Sequence, residues 1–401
     1  MTTTNPAETE FRRDRLTWIA YALLAFFAYL QAAPGLVIAH LREELALSYS
    51  TGGLHVAAFA AGSLVAGVVS ARIERALGRR TLFWSAAALM GAGAIGLTAG
   101  RVAEATVGSV LVMGLGGGLL LTTIQAALAD HHGEHRAVAL TEANVAASVA
   151  YVVLIGVLSL TAALHAGWRV GLLAALALPV LAWSSNRRLA IDAPPPARGA
   201  EGRLSGVFWT AAAMLFCMTA AEWCITAWGA TFVEGAAGVS ADTAVALMAG
   251  YFGGVVAGRT LGSRLARRHD PARLLALALA VAAAGFAILW PATGAAQALV
   301  GLSLLGLGLG NLFPMGIAVT VALAPGRAVL ASGRAVGMTS FAVLLAPLTV
   351  GTLADATSLT AALGVVPVVL ALAAAALALV RRARPRASVA PGAVVVPSRS
   401  H

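Results

Sequence analysis

Lysine is missing from this sequence altogether, so all 27 positive side chains are arginines. Charge of either sign is scarce, at 11% of the 401 residues, against about 25% in a soluble domain. Water is therefore not the main solvent of the chain. Cysteine is almost absent too. Cys217 and Cys224 fall in one apolar run, on one helix face, which suits buried free thiols better than a disulfide framework. No Walker loop is present, which argues against direct ATP driving. No charge ring or carbonyl-filter sequence is present, which argues against a channel. No histidine falls at the centre of an apolar run, so a membrane hydrolase would lack its base, and no enzyme is expected.

What fills the sequence instead is hydrocarbon. Hydrophobic residues make up 59%, and the mean hydropathy is +0.85. A bilayer-crossing helix needs about 20 apolar residues. Such runs lie near 16–39, 52–72, 81–100, 105–129, 137–162, 168–184, 207–231, 242–264, 272–292, 295–321, 329–352 and 359–380. They are continuous rather than alternating, so helices are expected and not a barrel. The formal charge of +10 could suggest nucleic acid, but its placement argues otherwise. With loops assigned alternately, only Arg42, Arg101 and Arg169 fall on one side, and every other arginine falls on the side of the termini. The positive-inside rule then puts both termini in the cytoplasm of a cell with a plasma (inner) membrane. The first run is too long for a signal-peptide core and is expected to be retained.

The expected division is a polar tail over 1–15, six spans over 16–184, a linker over 185–206, six more spans over 207–380 and a tail over 381–401. The linker carries Arg187, Arg188 and Pro194-Pro195-Pro196, which stop helices. The two six-span blocks repeat one another at an offset of about 191–193 positions. Val65-Ala66-Gly67 returns as Val256-Ala257-Gly258. Gly114-Leu115-Gly116-Gly117-Gly118 returns as Gly306-Leu307-Gly308-Leu309-Gly310. These glycines follow no strand, so they read as helix-packing residues rather than a phosphate loop.

Between runs two and three the chain carries Gly67, Arg72, Glu74-Arg75 and Gly78-Arg79-Arg80. This resembles the signature loop of the major facilitator superfamily, Gly-x-x-x-Asp-Arg-x-Gly-Arg-Arg, with glutamate for aspartate and one extra residue. The second-half loop, Gly258-Arg259 to Arg267-Arg268, is similar, as are Gly167-Trp168-Arg169 and the stretch from Ala346-Pro347 to Asp355. The resemblance covers about 15–380. It implies twelve transmembrane helices in two pseudo-symmetric six-helix bundles. A rocker-switch carrier would then open its shared cavity alternately to either side, for a small-molecule substrate, as a monomer in the lipid bilayer, with no cofactor. A Glu followed by a Trp-rich turn in run seven also resembles the fucose-permease-like branch.

Charges at the inner mouth can gate such a cavity. Glu74, with Arg75 and Arg79 beside it, is expected to pair with Arg334. Glu142 is expected to pair with Arg259 or Arg264. The alternative is that these charges only fix topology. Glu222 stands near the middle of run seven, as a carboxylate deep in the membrane. Ionising it there without a partner costs about 2.5–3.5 kcal/mol on insertion scales. That makes it a candidate for loading and releasing a proton, with a pure substrate contact or a structural role as alternatives. Candidate cavity residues are Tyr29 and Gln31 in run one, and Thr122, Thr123 and Gln125 in run four. Asn144 and Ser148 add to these in run five, Trp223 and Trp228 in run seven, Asn311 in run ten, and Thr339 and Ser340 in run eleven. Each amide could instead bond helix to helix, and each tryptophan could pack in the core. His131-His132-Gly133-Glu134-His135 lacks the spacing of a helical zinc motif, so no metal is expected.

Two directions of transport remain open. Drug exporters of the superfamily usually carry an arginine in span four and a Gly-Pro pair in span five. Here Val110 takes the first place, and run five has no proline. Proton-coupled symport of a small organic solute is the first expectation. Export of drugs or metabolites by antiport is the second, and a non-transporting sensor the third.

Overall fold

The computed structural model describes residues 11–191, 203–266, 268–324 and 327–383. The expected triple-proline stretch, Arg198, Arg267 and the tail arginines from Arg384 onward lie outside the described residues. Among the described residues, twelve helices are long and apolar enough to cross a bilayer. In chain order, spans one to six are Arg15–Leu45, Tyr49–Leu77, Arg79–Ala99, Ala103–His135, Val138–Ala163 and Trp168–Asn186. Spans seven to twelve are Gly206–Ala237, Ala241–Leu265, Pro271–Leu289, Ala295–Val321, Leu330–Ala356 and Leu359–Ala383. An even number of spans puts the start of span one and the end of span twelve at one end of the molecule, here called the terminal end. The opposite end carries the turn between spans one and two and is called the loop end.

Alanine and leucine dominate these runs, and both are strong helix formers. In hydrocarbon, the helix also satisfies every backbone group internally. The helices outrun their apolar stretches because polar caps extend them into water. The side chains of Asp14, Ser48, Ser205, Ser240, Asp270 and Ser358 each accept a backbone N–H in the first turn of a helix. Span ten breaks at Gly310–Asn311 into Ala295–Leu309 and Leu312–Val321. Gly310 would normally take its helical bond from residue 314, which is Pro314 and has no N–H.

The half-length repeat is a packing rule in three dimensions. A Cβ on Gly114 of span four would fall on the Phe59 carbonyl of span two. A Cβ on Gly306 of span ten would fall on the Tyr251 carbonyl of span eight. Both partners are displaced by the same offset along the chain. The two glycine runs therefore let equivalent backbones touch in each half.

The halves meet along spans one and seven, two and eleven, and five and eight. At the loop end the contact is close. Gly35 lies against the Thr226–Ala227 backbone, and Gly53 against Pro347–Leu348. The Asp355 carboxylate accepts the N–H groups of Tyr49 at 2.7 Å and Ser50 at 2.8 Å. An acidic side chain on the second half thus caps span two of the first. His40 meets Asp242 across the same seam at 2.9 Å. Trp228 is fully buried there, donating Nε1–H to the Pro347 carbonyl at 2.9 Å and packing on Tyr49.

Candidate functional site

Midway along the seam, both halves line one small cavity. Gln31 and Ala32 come from span one and Tyr151 from span five; Glu222, Trp223, Thr226, Tyr251, Phe252 and Val255 come from spans seven and eight. It holds about 20 Å³, room for a water molecule but not for a solute.

Glu222 reaches this cavity from the middle of a 32-residue helix. Its backbone carbonyl accepts the hydroxyls of Thr226 at 2.9 Å and Tyr251 at 3.3 Å. Its carboxylate faces Arg259, with Nη2 3.9 Å from Oε1. That is an ion pair too long for a hydrogen bond, so the guanidinium is close without claiming the carboxylate. Arg259 is held elsewhere. Its Nη1–H donates to Ser148 Oγ of the other half at 2.7 Å, and its Nε–H to the Gly310 carbonyl at 3.4 Å. That carbonyl is free because of Pro314. Across the cavity, Tyr151 donates its hydroxyl to Gln31 Oε1 at 3.2 Å and packs on Phe252. The arrangement sets one carboxylate and one guanidinium side by side at the seam, next to aromatic rings. The arginine beside the carboxylate bonds both halves.

Other expected residues lie elsewhere. Tyr29 is buried and donates to the Gly171 carbonyl, tying span one to span six. Thr122, Thr123, Asn144, Thr339 and Ser340 bond carbonyls of their own helices. Gln125 is exposed on span four. Asn311 is buried and donates to the Gly258 carbonyl, so it joins spans eight and ten. Trp228 belongs to the loop-end seal and not to the cavity. His131 and His132 are engaged with Asp14 and Thr17.

The expected charged pairs at the terminal end take other partners. Glu74 pairs with Arg79 at 2.7 Å, and Arg79 also holds Asp130 at 2.7 Å. Glu142 takes Arg13 at 2.5 Å and Tyr21 at 3.1 Å. All of these lie within the first half. Arg334 and Arg264 are exposed on the second, and Arg75 bonds its own helix at the Ala71 carbonyl. In this conformation a nearer partner within the same half satisfies each carboxylate. Arg259 is expected at the mouth but stands beside the cavity, 3.9 Å from Glu222. Its place was readable: it falls six residues inside the end of span eight, about 9 Å at 1.5 Å per residue.

The sequence profile of the Major Facilitator Superfamily matches residues 17–295 and again 211–398. The chain belongs to the Major Facilitator Superfamily. Its double, overlapping match is the repeat seen again, and membership makes the chain a multi-pass transporter rather than an enzyme. No curated protein sequence matches it. Among solved structures, the D-xylose–proton symporter superposes with a TM-score of 0.78 at 15% identity, covering 92% of this chain and 98% of that one. A bacterial homologue of the human lysosomal transporter Spinster, inward-facing and occupied, gives 0.73 at 13%, covering 93% and 98%. The Escherichia coli fucose–proton symporter gives 0.62 at 16%, covering 91% and 98%. At such identities the likeness is one of fold.

Proposed function

We propose that this superfamily member carries a small organic solute together with protons, by rocker-switch alternating access, with Glu222 as the coupling group. The observation that carries the reading is the placement of Glu222. It is a carboxylate on the wall of the cavity the halves share, 3.9 Å from an arginine that also bonds the opposite half. A proton arriving at Glu222 would cancel its pull on Arg259. That would change how firmly Arg259 holds Ser148, and hence the seam. Two symporters among the fold's likenesses favour symport over antiport. The arginine distribution supports a plasma membrane with both termini in the cytoplasm. On that orientation the closely packed loop end faces outward. The site is complete within one chain, which supports a monomer as the working unit.

Purified protein in liposomes tests this. An inward proton gradient should drive solute accumulation in the wild type. Glu222→Gln should retain downhill exchange but lose gradient-driven accumulation. Undiminished accumulation in that variant would refute the coupling role.

A further inference from the structure

We propose that the solute is a small organic monoanion, a hydroxylated monocarboxylate, whose acid group docks on Arg259. The inference rests on the coupling reading of Glu222 and names the substrate class of the same site.

It follows from counting charge at the seam. Among the described residues, Glu222 on span seven is the charged side chain that lines the cavity, and the Arg259 guanidinium on span eight stands beside it at 3.9 Å. The groups that face Glu222 from packed elements are Arg259 and Tyr251 on span eight and Tyr151 on span five, with the uncharged Gln31 on span one. With Glu222 ionised, the site is neutral. A proton on Glu222 leaves the Arg259 guanidinium without its carboxylate neighbour. Ser148 and the Gly310 carbonyl solvate two of its N–H groups with dipoles, but neither supplies a negative charge. A neutral sugar would leave that positive charge without a counter-charge. A monocarboxylate restores neutrality and offers the two oxygens that a guanidinium binds best. A phosphate monoester would overshoot, because it brings close to two negative charges.

Proton and anion then enter as a neutral pair, and each makes the other's binding favourable. Arg259 Nη2 points toward Glu222 without a hydrogen bond at 3.9 Å, so this donor is the one a carboxylate would take. The rest of the wall suits a hydroxylated body. Gln31 and the Tyr151 hydroxyl are polar, and the rings of Trp223 and Phe252 offer faces for a carbon skeleton. The cavity must widen to admit it, which alternating access supplies.

Matched acids and sugars test the charge alone. D-gluconate is set against D-glucose, and D-xylonate against D-xylose. Their effect is read as thermal stabilisation of purified full-length protein and as uptake in liposomes, from pH 5.5 to 8. Expected is stabilisation by the acids and not by the sugars, weakening as pH rises. Uptake of the acids should be proton-driven and electrically silent. Arg259→Gln should weaken acid binding at least about tenfold, and Arg259→Lys should recover part of it. Glu222→Gln should bind the acids with no pH dependence. Acids that bind no better than their sugars, or that bind Arg259→Gln as well as wild type, overturn the proposal. Gradient-driven sugar uptake that is lost in Glu222→Gln would overturn the anion site alone and leave the coupling intact. Acid binding whose pH dependence survives in Glu222→Gln would overturn the coupling reading, and this inference with it.

Discussion

Replacing Asp355 should loosen the loop end by a calculable amount. Its carboxylate accepts two backbone N–H groups at the start of span two, and these belong to the opposite half. Loss of a side-chain cap costs about 0.5–2 kcal/mol. Asp355 is exposed, so solvent screening keeps its charge contribution in the lower part of that range. In Asp355→Asn the amide oxygen can keep one bond but not the charge. In Asp355→Ala both go. About 1 kcal/mol is then lost from the closed loop end and not from the open one, which shifts the ratio of the two about fivefold. Spin labels on Leu54→Cys of span two and Thr352→Cys of span eleven read the gap, with Cys217 and Cys224 replaced by alanine. The longer-distance population should grow about fivefold in Asp355→Ala and less in Asp355→Asn. An unchanged distance distribution in both variants would show that the cap does not hold the seam.

Gly114→Val and Gly306→Val should each lower the melting temperature, since overpacking costs about 1–3 kcal/mol; Gly156→Ala, whose Cβ would meet open space, should not. Asp14 sets up a pH dependence at the start of span one. Burial pushes its carboxyl up, but the hydrogen bonds from Thr17 and the neighbouring His131 outweigh this and leave it below its ordinary value. Its cap therefore contributes fully above the unfolded value of about 3.9 and is lost as pH falls through the lower folded one. The protection of the Thr17 and Trp18 amides, measured as exchange relative to the intrinsic rate at each pH, should fall on acidification in the wild type and be low at every pH in Asp14→Ala.

The twelve spans and the half-length repeat were legible because hydrophobic run length and glycine spacing are local properties of the chain. The depth of Glu222 was legible for the same reason, since position along a straight helix gives depth. Its partner was not. Arg259 lies within the apolar run 242–264, yet its motif groups it with the arginines of the following loop. What holds it beside Glu222 is Ser148 of the opposite half at 2.7 Å, with the Gly310 carbonyl that Pro314 leaves open at 3.4 Å. Asn311 and Trp228 were open between lining and packing, because sequence gives a residue's face only relative to its own helix. The pairs proposed for Glu74 and Glu142 show the converse problem. Charge and pseudo-symmetry suggested partners in the other half, while Arg79 and Arg13 were nearer in the same half.

The bare hydrogens of Gly114 and Gly306 leave no soft layer between the helices they join. Spans two and four, and likewise spans eight and ten, cannot slide past one another without a steric collision, so each pair is a stiff joint within its block. At the boundary between the blocks, by contrast, Arg259, Ser148 and Asp355 make polar bonds that can break and re-form without such a collision.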